Sequence, residues 1–168
     1  MAPADPAFES FLAARGPALM QLARLLVRNR LDAEDLVQDT FARCLPRWPS
    51  IAGDPEGYLR RTMVNLAIDR GRSRARRPEI LTEPPEPPGS AAQDIAAGVA
   101  DRDVLARALR ALTDRQRIAV VLRLYLDLDE QSCADVMGCS VGTVKSLTSK
   151  GLAKLRKAAA STEIGGAA

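Results

Sequence analysis

The chain has 168 residues, a formal net charge of +3 and a sequence pI near 9.0, so it fits one ordinary domain or two small ones and suits an anionic partner. Hydrophobic residues make up 46% and aromatics only 4%, so any core is aliphatic, and its Leu, Val and Ala favour helices. Three cysteines, Cys44, Cys133 and Cys139, at non-CxxC spacing, and no histidine argue against a zinc site or a disulfide scaffold and for a reducing, cytoplasmic setting.

No run approaches 18 apolar residues, and the acidic start MAPADPAFESF has no basic segment, so neither a membrane span nor a signal peptide is expected. Residues 7–28 read as a helix, with Phe8, Phe11, Leu12, Leu19, Leu22, Leu25 and Leu26 at helical spacing. Gly16-Pro17 predicts a kink and Asn29 a stop. Asp32 is the expected cap of a second helix whose apolar face is Leu36, Val37, Phe41, Cys44 and Leu45. Its acids, Glu34, Asp35 and Asp39, lie toward the helix start, where the macrodipole favours them. Pro46 and Pro49 end it, and RWPSIAGDP reads as a loop.

Asp54-Pro55 opens a third helix, with Tyr58, Leu59, Met63, Leu66 and Ala67 or Ile68 inward. It runs into five arginines within eight residues, Arg70, Arg72, Arg74, Arg76 and Arg77, with Arg60 and Arg61 earlier. Such a cluster suits phosphates through counterion release, although arginines at a helix C-terminus are also favoured by the dipole alone. These helices make a first domain, 7–77. Residues 78–98 hold five prolines, four acids and no base, and read as a flexible linker.

The helical pattern returns from Asp101, with Val104, Leu105, Ala108, Leu109 and Leu112 on one face. Thr113 and Gln116 form a capping box for a helix through Ile118, Val121, Leu122 and Tyr125. Asp129 caps a short helix through Cys133, Val136 and Met137; Gly138-Cys139-Ser140 is a turn, and the last helix runs from Val141 to about Ala160. A short helix, a glycine-containing turn and a longer basic helix form a helix-turn-helix pattern, held by Ala134, Val136 or Met137, Val141 and Val144. Gly142, Thr143, Lys145, Ser146 and Ser149 are the positions expected to reach a groove; between Ser140 and Ala160 there are five Lys/Arg and no acid. An ordinary helical hairpin with a solvated charged face is the bland alternative.

Catalysis finds no support. No histidine is available to Ser132, Ser140 or Cys133 as a base, and there is no phosphate-binding glycine loop. Asp32, Glu34, Asp35 and Asp39 do not frame a metal site, and no cofactor is expected.

DAEDLVQDTF at 32–41, YLRRTMVNLAIDRGRSRARR at 58–77, ALTDRQRIAVVLRLYLDLDEQSCADVMGCSVGTVKS at 111–146 and LAKLR at 152–156 resemble, in order and spacing, an extracytoplasmic-function sigma factor of the sigma-70 family, actinobacterial type. The resemblance covers about 7–158. It implies an all-α fold of two small helical domains: sigma region 2 at 7–77 and sigma region 4 at 99–160, joined by the linker 78–98. It implies a non-enzymatic subunit that binds core RNA polymerase and directs initiation at promoters. Asp35, Gln38, Asp39 and Phe41 would dock on polymerase. The loop Trp48–Asp54 would capture a flipped base of the melted −10 element, and Asn65, Asp69, Arg72, Arg74, Arg76 and Arg77 would hold the same element. Thr143, Lys145, Ser146, Ser149 and Lys150 would read the −35 duplex. An anti-sigma factor is an expected partner. Three departures from the family pattern are Leu147 for a basic residue, Gly71 for a large one, and Val27-Arg28-Asn29 for a Thr-Gly-Asp turn. The other readings are a stand-alone helix-turn-helix regulator and a protein-interaction module held by an anti-sigma factor.

Overall fold

A computed structural model describes residues 5–77 and 105–165; the expected linker and the start of the helix predicted from Asp101 lie outside these. Every regular element among the described residues is a helix, and backbone proximity groups the chain into two compact units, Met1–Ala67 and Ile68–Ala168.

α1 spans Pro6–Leu26, α2 Arg30–Cys44 and α3 Pro55–Arg76, and the first unit ends within α3 at Ala67. Asp5 caps α1 by accepting a hydrogen bond from Ala7 N (2.9 Å). The kink predicted at Gly16-Pro17 does not break α1: Pro17 is exposed, so water can serve the carbonyl its ring frees, while Leu19 and Leu22 anchor the helix at 1% exposure each. α1 ends at Leu26, two residues before the expected stop. Asn29, not Asp32, caps α2: its Oδ1 accepts from Asp32 N at 2.7 Å, and its amide donates to Asp32 Oδ2 at 3.3 Å. Asp32 is thus placed in the first turn, where the helix dipole favours it.

Ala33, Leu36, Val37 and Cys44 of α2 pack with Leu59, Met63, Val64, Leu66 and Ala67 of α3 and the α1 leucines into an aliphatic core. Burying each such Leu contributes roughly 1.5–3 kcal/mol. Burial also pushes the Cys44 thiol up. Leu45, expected in that core, is exposed, because the chain leaves α2 as a 3-10 helix, Leu45–Ser50, where a loop was expected. Asp54 Oδ1 accepts from Gly57 N (2.8 Å) to start α3, which continues through Gly71 unbroken.

In the second unit the helical stretch 105–109 leads to α4, Asp114–Val120, whose Thr113/Gln116 capping box forms as predicted. α4 widens into a π turn, Val121–Tyr125, then come α5, Glu130–Met137, and α6, Val141–Gly165. Leu109, Leu112, Ile118, Val121, Leu122, Cys133, Met137 and Val144 form the core. Within it Arg117 is fully buried. Its side chain donates to Leu109 O (3.0 Å), Leu112 O (3.1 Å) and Asp114 Oδ1 (3.1 Å), so a buried charge caps the carbonyls of the preceding turn. No described helix is long and apolar enough to cross a membrane.

Candidate nucleic-acid interface

The helix-turn-helix is built by three local devices. Asp129 Oδ1 accepts from Ser132 N (2.7 Å), and hydrogen bonds from Ser132 hold this carboxyl below its usual range. Gly138 closes α5 in the left-handed region (φ 60°, ψ 44°), where a side chain would strain. Ser140 Oγ accepts from Thr143 N at 3.1 Å and opens α6. Ala134, Met137 and Val144 are buried between the helices as predicted; Val136 and Val141 are half-buried. Further along, α6 lies so close to α4 that a Cβ on Gly151 would sit 2.7 Å from Val120 Cγ2.

This seating leaves Gly142, Lys145, Ser146, Ser149 and Lys150 exposed on the first turns of α6. Thr143 is half-buried, its hydroxyl 2.9 Å from Ser140 Oγ, and Leu147 is half-buried too. Lys145 has a partner the sequence did not announce: its Nζ lies 3.3 Å from Glu130 Oε2 at the start of α5.

On α3, Asn65, Asp69 and Arg72 are exposed and share one face at helical spacing, with Asp69 and Arg72 4.0 Å apart. Arg76 and Arg77 are exposed; Arg70 and Arg74 are half-buried.

The segment 47–54 and the first two turns of α3 enclose a cavity of about 230 Å³, lined by Arg47, Ser50, Ile51, Ala52, Asp54, Tyr58 and Arg61. Arg47 Nη1 donates to the Tyr58 hydroxyl (3.4 Å), a bond that favours the charged guanidinium, and Ser50 Oγ donates to Arg47 O (2.8 Å). Trp48 is not in this lining. Its ring centroid lies 5.0 Å from that of Phe8 and 5.0 Å from that of Phe11, so it fastens the 3-10 helix to α1. Tyr58, read from spacing as an inward residue, is half-buried and presents its hydroxyl to the cavity. A phenol needs a partner when buried, which is the signal that could have separated it from Leu59.

On α2, Asp35, Gln38 and Asp39 are exposed side by side. Leu31 lies on the same stripe at 69% exposure, and Leu45 continues it at 39%. Phe41 falls about a quarter turn away from that stripe. It is half-buried and meets Phe8 edge-on (6.2 Å, 89°).

An all-helical chain with a helix-turn-helix, a basic recognition helix and a separate acid-and-leucine helix face is a DNA-binding protein of transcription that also offers a surface for protein. Residues 11–77 match the sigma-70 region 2 family and residues 102–155 the "Sigma-70, region 4" family. The chain is 38% identical over 152 residues to the RNA polymerase sigma-E factor of Streptomyces coelicolor, covering 89% of this chain and 84% of that protein. It is 30% identical over 156 residues to the ECF RNA polymerase sigma factor SigM of Mycobacterium tuberculosis, covering 90% and 76%. In fold it is similar to the sigma factor RpoE of Bartonella quintana, solved with the anti-sigma factor NepR (TM-score 0.60, 24% identity, 92% of this chain and 97% of that one). The chain therefore belongs to the sigma-70 family, in its extracytoplasmic-function group. It is a sigma factor that binds core RNA polymerase and directs transcription from promoters, and it performs no catalysis of its own.

Proposed function

We propose a division of labour among the exposed faces. Asp35, Gln38 and Asp39 of α2, flanked by Leu31 and Leu45, dock on core polymerase, while Phe41 holds α2 to α1 from beside that face. The cavity at 47–61 takes one flipped base of the melted −10 strand. At about 230 Å³ it is smaller than the roughly 300 Å³ at which pockets for drug-sized ligands begin, which suits a single base. Asn65, Asp69, Arg72, Arg74, Arg76 and Arg77 hold the strand that continues from it, and Trp48 supports the cavity wall. Thr143, Lys145, Ser146, Ser149 and Lys150 meet the −35 duplex. The functional division follows 7–77 and 99–160, with 78–98 between them.

The observation that carries this reading is the opposition of two helix faces: an acid face interrupted by leucines on α2, and a first stretch of α6 with cations, small polar residues and no acid. Phosphate repels the first and attracts the second. An anti-sigma factor is the further partner, since the similar sigma factor RpoE was solved with the anti-sigma factor NepR, and the similarly folded CnrH with the cytosolic domain of CnrY. The working compartment is the cytoplasm, where polymerase and promoters are.

Run-off transcription tests the whole reading. Core polymerase with this protein, given fragments of the host genome, is expected to initiate at a small set of sites; core alone is not. Initiation at no site would overturn it.

A further inference from the structure

The start of α5 and the middle of α6 border a second, open pocket of about 330 Å³. Arg123, Lys145 and Arg156 line it, with Glu130 the one acid among them and Ser149, Leu152 and the fully buried Val144 completing the wall beside Thr148. Thr148 also lines it, and its Oγ1 is buried with no hydrogen-bond partner among the described residues. Arg123 is held in place by donating through Nη1 to Leu128 O. Three cations, an unused hydroxyl and one carboxylate already paired with a cation are the lining of a site for a multi-oxygen anion. A guanidinium offers a fork of N–H donors, an ammonium offers three donors, and the hydroxyl can donate one more.

The notch lies along the same helix whose exposed first turns carry Gly142, Ser146, Ser149 and Lys150. We propose that it seats one backbone phosphate of the duplex that α6 reads, with Arg156, Lys145 and Thr148 Oγ1 as its ligands, and that Glu130 is a built-in competitor for Lys145 which holds promoter affinity down. This rests on the assignment of α6 to the −35 duplex. The Lys145–Glu130 contact is 3.3 Å between side chains 60% and 38% exposed, and exposed pairs of this kind are weak, so an incoming phosphate can displace the carboxylate. It does so at a cost, because Glu130 is left beside the phosphate. Glu130 also acts as an internal counterion. While it neutralises Lys145, phosphate binding there releases little salt.

The test uses holoenzyme assembled from core polymerase and the full chain, on a promoter fragment from which the wild-type holoenzyme initiates. Dissociation constants are measured across a salt series. Arg156→Gln is expected to weaken binding about fivefold and to make the log–log salt slope shallower by about 0.9, one duplex phosphate contact. Glu130→Gln is expected to tighten binding several-fold and to steepen the slope by a similar amount, because Lys145 then carries a releasable counterion. In a Lys145→Gln background that gain should vanish. Thr148→Val, equal in shape, is expected to weaken DNA binding while leaving the unfolding midpoint unchanged or raised. An unchanged slope for Arg156→Gln, or a gain from Glu130→Gln that persists without Lys145, overturns the notch while leaving the promoter reading intact. A wild-type holoenzyme that initiates nowhere overturns both.

Discussion

α2 and α6 are each tied into an aliphatic core along one side and expose chemistry along the other, but the exposed sides are built on different plans. On α2 the stripe that carries Asp35 and Gln38 also carries Leu31 at 69% exposure and runs on to Leu45 just past the helix end, with the exposed arginines of the helix confined to its ends at Arg30 and Arg43. On α6 the exposed residues of the first turns are Gly142, Lys145, Ser146, Ser149 and Lys150, with no large apolar side chain among them. A protein partner can bury leucine and reward it, so on the proposed assignment α2 would bind through desolvated contact with charge setting orientation. A duplex backbone offers anionic phosphate oxygens that accept from cations and hydroxyls at close range, which suits the short and cationic side chains that α6 exposes near its start. On the division of labour proposed above, the same architecture, one helix seated on a core, serves two partners by changing only what faces outward.

The largest effect expected from breaking this contrast lies on α2. The double change Asp35→Ala, Asp39→Ala should weaken binding to core polymerase by about tenfold or more, since charge complementarity there both steers and orients docking. Lys145→Gln, Lys150→Gln should leave core binding unchanged and reduce promoter binding instead. Both are read by titrating labelled core polymerase, then promoter DNA. Equal loss of core binding in both variants would mean the two faces are not specialised.

The next effect concerns how α6 is seated. Gly151 permits the close approach of α6 to α4, and an added methyl would meet Val120 Cγ2 at 2.7 Å, so Gly151→Ala should destabilise the protein by about 1–3 kcal/mol despite its better helix propensity. The unfolding midpoint measures it. A stabilised variant would show that α6 can shift on α4, and with it the register of its exposed face.

The local signals of this fold were written in the sequence wherever a side chain bonds its own neighbourhood. Asp54-Pro55, the Thr113/Gln116 box, Asp129 and the Gly138–Ser140 turn all act over three residues or fewer, and each forms as expected. The misreadings arise where a distant element decides. Asn29 and Asp32 are both good caps three residues apart, and Asn29 takes the role because α1 ends at Leu26. Trp48 stands in the segment that the resemblance assigns to base capture, and two phenylalanines about forty residues earlier hold its ring, a contact that no local pattern announces. The family-derived assignments named Lys145 and could not name Glu130 as its partner, since only the packing of α5 on α6 brings the two together. Arg117 counts as a cation in the composition and is absent from the surface.

The π turn that joins α4 to the helix-turn-helix had no sequence signature, and it carries the smallest predicted effect. Leu126 N donates to Val121 O (3.0 Å) and Leu128 N to Leu122 O (3.0 Å), widening the helix so that Asp129 can cap α5. The turn forces Asp127 to φ 52°, the one non-glycine residue in the left-handed region among the described residues. Asp tolerates that region better than most residues, but glycine meets no Cβ penalty there. Asp127→Gly should therefore stabilise the second unit by about 0.5 kcal/mol, the Cβ gain being partly offset by the entropy of a freer unfolded chain. Asp127 also lies two residues from Asp129, so removing its carboxylate acts through charge as well, and Asp127→Asn provides the control: it keeps tolerance of positive φ and loses the charge. A rise in the unfolding midpoint for Gly and none for Asn assigns the effect to the backbone. Equal rises would assign it to relief of like-charge repulsion between Asp127 and its neighbours Asp129 and Glu130 rather than to the backbone.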